Sequence, residues 1–194
     1  MHDVVGTRTS CGYNDGWYRI SHHLTAIADS GVKLISKAGG VNPEACGRAI
    51  RQLIEDAGLS LKVAVITGDD LMPKLDEVLT AEPAEMFNGE PTPPRGAIAS
   101  ANAYLGAFPV AEALNQGADI VVTGRCVDSA VTLGACIHRF GWQRDDLDLL
   151  AAGSLAGHLI ECGPQATGGN YTDWHEVADS LHEVGYPIAE IAED

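Results

Sequence analysis

Chemistry in this chain would rest on a small set of residues. Arg125 follows the apolar run Ile120–Thr123 and Gly124, with Asp128 three positions on. A guanidinium just past a buried strand offers a planar fork to a carboxylate or phosphate; its plain alternative is an ion pair to Asp128 or Asp69. Asp69 and Asp70 follow Val65-Ile66-Thr67-Gly68, and Asn42 follows Gly39-Gly40-Val41. Glycines at such points let backbone approach a ligand. Each of the Asx residues has a structural alternative as a cap or turn former. His158 and Glu161 lie three apart and so share one helix face, where a base and its orienting carboxylate could sit. Their alternative is a helix end at which the dipole favours histidine. Gly168 and Gly169 close a loop after Cys162 whose amides could cradle an oxyanion, or merely turn the chain. The candidate ligand-binding residues are therefore Arg125, Gly39, Gly40, Asn42, Asp69, Asp70, Gly168 and Gly169, and the candidate catalytic ones His158, Glu161 and Asp128. A nucleophilic Cys162 would need a paired base, and an inert thiol is the simpler reading. His175, Asp179 and His182 would form one stripe of a helix, but in a strongly polar stretch that reads as a solvated face. No metal site and no cofactor are assigned. GxGxxG, GxxxxGK[ST] and GxSxG are all absent from the sequence.

The elements that must carry these residues can be read from periodicity. Short continuous apolar runs predict strands at Val32–Ser36, Lys62–Thr67 and Asp119–Thr123, with a further strand within Ile98–Leu105. Helical spacing predicts helices over Ser21–Ser30, Pro43–Ala57, Leu71–Leu79, Pro109–Gln116, Ser129–Phe140 and Leu147–Ile160. Asn42 and Pro43 mark a helix start, and Gly58, Gly117 and Gly141 mark helix ends. Four prolines between Ala81 and Arg95 predict a loop. The helix over 147–160 also holds Gly153, Ser154, Ala156 and Gly157, so a neighbouring helix or a ligand must approach it closely. Strands that are apolar throughout and alternate with helices define an α/β fold, a parallel-sheet-based layered domain with helices on both faces. Ligands of such sheets bind beyond the carboxyl ends of the strands, where Asn42, Asp69, Asp70, Arg125 and Asp128 would line one crevice.

Composition narrows the partners. The 194 residues carry a formal net charge of −15 with only 12 Lys and Arg. Phosphate neutralisation needs clustered basic residues, so nucleic acid and anionic membrane surfaces are not expected as partners. Five scattered cysteines, no CxxC, no signal peptide and no apolar run of membrane-spanning length point to the cytoplasm.

Several blocks together resemble the acyclic terpene utilisation (AtuA-like) family. They are Ala38-Gly39-Gly40-Val41-Asn42-Pro43, Val65–Asp70, Ser100–Ala107, Gly117–Arg125 with Asp128-Ser129, Phe140-Gly141-Trp142, Ala152–Gly163 and Thr167-Gly168-Gly169. The resemblance runs from Gly31 onward. It implies a partial family α/β domain over residues 31–194 behind a poorly matched segment at 1–30, as in a fragment or mis-started chain. It also implies a role in citronellol- or geraniol-type catabolism, acting on or binding an acyl-CoA or branched carboxylate as a small-molecule ligand. The alternatives are a non-catalytic binding or assembly module of that pathway, or an inactive fragment. A homo-oligomer is left open, through a sheet edge that a missing segment would expose.

Overall fold

The computed structural model describes residues 20–193. The chain divides into two compact units. The first runs to Leu105 and takes in Ala118–Cys126; the second comprises Gly106–Gly117 and everything from Val127 onward.

The first unit holds an α/β sheet of three parallel strands. These are β1 (Leu34–Ser36), β2 (Val63–Ile66) and β3 (Ile120–Thr123), in the order β1-β3-β2. Leu34 pairs with Ile120 on one side of β3, and Val63 pairs with Ile120 on the other. The last strand in sequence is thus the central one. All four of its residues are buried, which is why Ile120–Val122 reads as a continuous apolar run rather than an alternating one, and the buried Thr123 hydroxyl donates to the Gly124 carbonyl at 2.9 Å. Helix α1 (Leu24–Ser30) follows a single 3-10 turn, Ser21–His23, and Gly31 ends it in the left-handed region. Helix α2 (Pro43–Asp56) connects β1 to β2. Leu24, Cys46, Ile50 and Ile54 from these helices pack on Ile120 and Val122, which point to one face of the sheet. Gly47 is what lets α2 come so close, since a side chain there would run into Val65 of β2. At the opposite end of the strands, Lys33 donates to Asp119 at 2.7 Å, and the Lys62 amide donates to its other oxygen at 2.9 Å. Both contacts favour the ionised carboxylate, the Lys33 hydrogen bond most, and they hold Asp119 below the ordinary aspartate range.

Beyond β2 the chain makes a 3-10 turn, Met72–Lys74, and the short helix α3 (Leu75–Thr80). The proline-bearing segment after it is a loop, as its composition predicts, pinned by one isolated bridge between Ala84 and Pro91. Ile98–Leu105 departs from expectation. It is not a strand of the sheet but an extended segment with single bridges, Asp70 to Asn102 and Leu105 to Cys126. Its main-chain partners lie past the ends of strands rather than along them. The Leu71 amide donates to the Ala101 carbonyl at 2.9 Å, Ala103 to Asp69 at 2.8 Å, and Leu105 to Arg125 at 3.0 Å. The segment therefore crosses the carboxyl ends of β2 and β3.

The second unit is helical, with α4 (Phe108–Asn115), α5 (Ala130–Phe140) and α6 (Leu147–Glu161). Glycines set their spacing. A Cβ at Gly134 would lie 2.5 Å from Val110 Cβ, so α4 and α5 cross almost backbone to backbone. A Cβ at Gly153 would lie 2.8 Å from both Leu133 and Trp142, and one at Gly157 would lie 2.8 Å from the Ser129 carbonyl. The close neighbour of the small-residue face of α6 is thus helix α5. The chain continues past α6 in 3-10 turns, Gly163–Thr167, Trp174–Glu176 and Ala178–Glu183. Among the described residues, no helix is long and apolar enough to cross a membrane.

Candidate functional site

A crevice opens at the carboxyl edge of the sheet, within the first unit. One cavity of about 410 Å³ is lined by Val41, Ser100, Asn102, Tyr104 and Arg125. A second, of about 290 Å³, is lined by Val41, Asn42, Pro43, Glu44, Thr67, Gly68, Asp69 and Asp70. Val41 belongs to both, so the two adjoin there. Each strand supplies one wall through the residues that follow it: β1 gives Val41 and Asn42, β2 gives Thr67 to Asp70, and β3 gives Arg125. The extended segment 98–105 gives the fourth wall.

Asp69 organises this edge. It is 2% exposed. Its Oδ2 accepts from the Arg125 amide at 2.9 Å and from Asn102 Nδ2 at 2.9 Å. One carboxylate oxygen thereby fixes Arg125, two residues past β3, and the middle of the fourth wall together. Gly124 makes room for it, since a Cβ there would lie 2.6 Å from Asp69 Cγ. Asp70 Oδ1 accepts from the Met72 amide at 2.9 Å and so starts the following 3-10 turn. Asn42 is the N-cap of α2, and its Oδ1 accepts from the Ala45 amide at 3.1 Å. Gly39 lies against the Thr123 carbonyl and Pro43, so its missing side chain serves packing between β3 and the start of α2. Gly40 has φ +56°, a left-handed turn that brings Asn42 to the helix start.

Arg125 is exposed at the mouth of the larger cavity. Its Nη2 donates to Tyr104 Oη at 2.5 Å, and its guanidinium carbon lies 5.1 Å from the Tyr104 ring centroid. The phenol thus braces the cation from the side. Ser100, Asn102 and Tyr104 are site residues that periodicity did not single out, although a signal was present. They sit at i, i+2 and i+4, as an extended segment places one face, with alanines between them.

The other candidates lie in the second unit. Asp128 is exposed in the turn ahead of α5, whose N-cap is Ser129. His158 and Glu161 are both exposed on the last turns of α6. Cys162 Sγ lies 3.8 Å from Glu161 Oε2. Gly168 has φ +120° and ends the turn Gly163–Thr167, and the Gly169 amide donates to the Pro164 carbonyl at 2.7 Å. That amide closes the loop on itself, while Thr167 Oγ1 ties the loop to the Gly185 carbonyl at 2.5 Å. His175, Asp179 and His182 fall on 3-10 turns and are exposed. Cys46, Cys126, Cys136 and Cys162 are free thiols, and burial raises the pKa of Cys136; Cys11 lies outside the described residues. Among the described residues, no group of three or more His, Cys, Asp or Glu is placed to hold a metal ion.

These features define an α/β protein with a polar crevice at the carboxyl edge of a parallel sheet. The model of the family described as acyclic terpene utilisation family protein AtuA matches residues 7–194, and the chain belongs to that family. The matched span begins upstream of Gly31, where the recognisable blocks start. Membership points to a role in acyclic terpene utilisation. No curated protein and no solved structure matches the chain.

Proposed function

We propose that this chain binds an anionic intermediate of acyclic terpene breakdown, a branched carboxylate or its acyl-CoA thioester, in the crevice of the first unit. The observation that carries the reading is Arg125, braced by Tyr104 at the mouth of a cavity whose remaining polar lining is Ser100 and Asn102. A planar guanidinium matches carboxylate or phosphate oxygens two at a time. Orientation follows from the charges. The smaller cavity carries Glu44, Asp69 and Asp70, so an anion is repelled from that side and its charged end goes to Arg125. The rest of the ligand then extends past Val41, the one residue that lines both cavities. With a net charge of −15 the chain does not attract anions at long range, so affinity comes from this local geometry.

The test is calorimetric titration of the intact chain with a citronellol-derived carboxylic acid and with its CoA thioester. Arg125→Ala removes a charge-assisted contact and is expected to weaken binding by about tenfold to a hundredfold. Arg125→Lys keeps the charge but loses the fork, and falls between the two. Equal affinity in the wild type and Arg125→Ala, or no binding of either ligand, would sink the proposal.

A further inference from the structure

Asn102 lines the larger cavity with part of its amide already engaged. Its Nδ2 donates to Asp69 Oδ2 at 2.9 Å, an oxygen of a buried carboxylate. That bond decides which way round the amide lies. Turned over, it would set Oδ1 against the carboxylate oxygen, two acceptors with no hydrogen between them. Asp69 therefore fixes Asn102 Oδ1 as an acceptor, and no described residue donates to it. The other polar groups of the cavity favour donation. Arg125 can only donate, and Tyr104 Oη, which accepts from Arg125 Nη2, keeps its own hydrogen to give. The second Nδ2 hydrogen of Asn102 is one more donor. A carboxylate or a thioester carbonyl can serve any of these, because each offers acceptors alone. Neither can serve Asn102 Oδ1.

From this we infer that the ligand of the crevice is a hydroxy acid, or its thioester, with the hydroxyl on the α or β carbon, and that Asn102 recognises that hydroxyl. The inference rests on the reading of Arg125 as the anion site and adds the class of anion. A terpenoid acid is built of carbon, hydrogen and oxygen, so the donor it can carry beside an ionised carboxylate is a hydroxyl. The extended segment sets where that hydroxyl must be. Asn102 and Tyr104 are two residues apart, so they share one face with Cα atoms about 7 Å apart. A carboxylate held by Arg125 and Tyr104 has Asn102 as its neighbour. A hydroxyl on the first carbons of the chain comes within reach of Oδ1, and one far along the chain does not.

The experiment is calorimetric titration of the intact chain with three free acids: a citronellol-derived carboxylic acid and the same acid hydroxylated on the α or on the β carbon. Free acids are used because coenzyme A brings hydroxyls and amides of its own. One hydrogen bond between uncharged groups is worth about threefold to tenfold in affinity, so at least one hydroxy acid is expected to bind that much tighter than the parent. Asn102→Leu keeps the bulk and removes the acceptor, and is expected to bring the ratio close to one. Comparing acids within one protein cancels any general weakening that this variant brings to the crevice. Wild type that binds all three acids equally, with each weakened by Arg125→Ala, overturns the inference and leaves the anion site standing. Wild type that binds none of them overturns both. A ratio that survives Asn102→Leu, or that is lost in Ser100→Ala instead, overturns the assignment to Asn102.

Discussion

Removing the Asp69 side chain tests whether the crevice is built from one buried carboxylate. In Asp69→Ala the Arg125 amide and Asn102 Nδ2 both lose the oxygen they share. A donor left without its partner in a largely buried place costs about 1–3 kcal/mol. Both donors are only part-buried, so the sum is about 2–4 kcal/mol by the same scale. For a chain of this length that lowers the melting temperature by about 5–15 °C. Asp69→Asn separates charge from shape. Both donors meet the same oxygen, so an amide oxygen in that place keeps both bonds. Only the extra strength of a charged acceptor is lost, about 1 kcal/mol. Gly106→Ala is the control, because a Cβ there meets nothing within 4 Å. The assay is a thermal melt followed by circular dichroism. The same samples are titrated with ligand, since Arg125 and Asn102 both line the larger cavity. If Asp69→Ala melts within about 2 °C of the wild type, less than the shift expected from even 1 kcal/mol, Asp69 does not hold the crevice together. An asparagine variant as damaged as the alanine one would show that the bonds depend on the charge itself.

Two further outcomes follow from the geometry. The pKa of Asp119 is lowered by Lys33 and the Lys62 amide, so its contribution is fully present above the unfolded aspartate value and is lost as pH falls through the lower folded one. Between pH 6 and pH 3 the melting temperature of Asp119→Asn should therefore fall less steeply than that of the wild type; parallel curves would remove Asp119 from the acid transition. Gly157→Val places a Cβ 2.8 Å from the Ser129 carbonyl and 3.0 Å from its Cα, neither of which can rotate away. Overpacking of this kind costs about 1–3 kcal/mol, a drop of about 3–10 °C in the melt. An unchanged melt would mean that α5 and α6 do not cross at this point.

What the sequence made legible depended on whether the physics was local. Helix starts and stops are local, and Asn42-Pro43 and Gly141 fall where capping chemistry puts them. The runs at 34–36, 63–66 and 120–123 are strands because each is apolar but for a terminal Ser36 or Thr123, and the central strand β3 is apolar over Ile120–Val122 because both of its faces are buried. Ile98–Leu105 misleads for the opposite reason. Alternating small and polar residues give it an extended backbone, but extension does not say what a backbone pairs with. Its amides and carbonyls find Asp69, Leu71 and Arg125, residues beyond strand ends and up to dozens of positions away. The role of Asp69 is hidden in the same way. An aspartate after Thr67-Gly68 reads as a turn former, and nothing nearby in sequence reveals that its carboxylate reaches the amide of Arg125, 56 residues on. The clue lay at the far end: Gly124 sits where any side chain would displace that carboxylate, so the glycine after β3 and the aspartate after β2 require each other. Asn42, Asp69 and Asp70 are all committed to backbone amides, which makes them the frame of the crevice. The guanidinium of Arg125 and the face of Ser100, Asn102 and Tyr104 are then the groups this frame presents to a ligand.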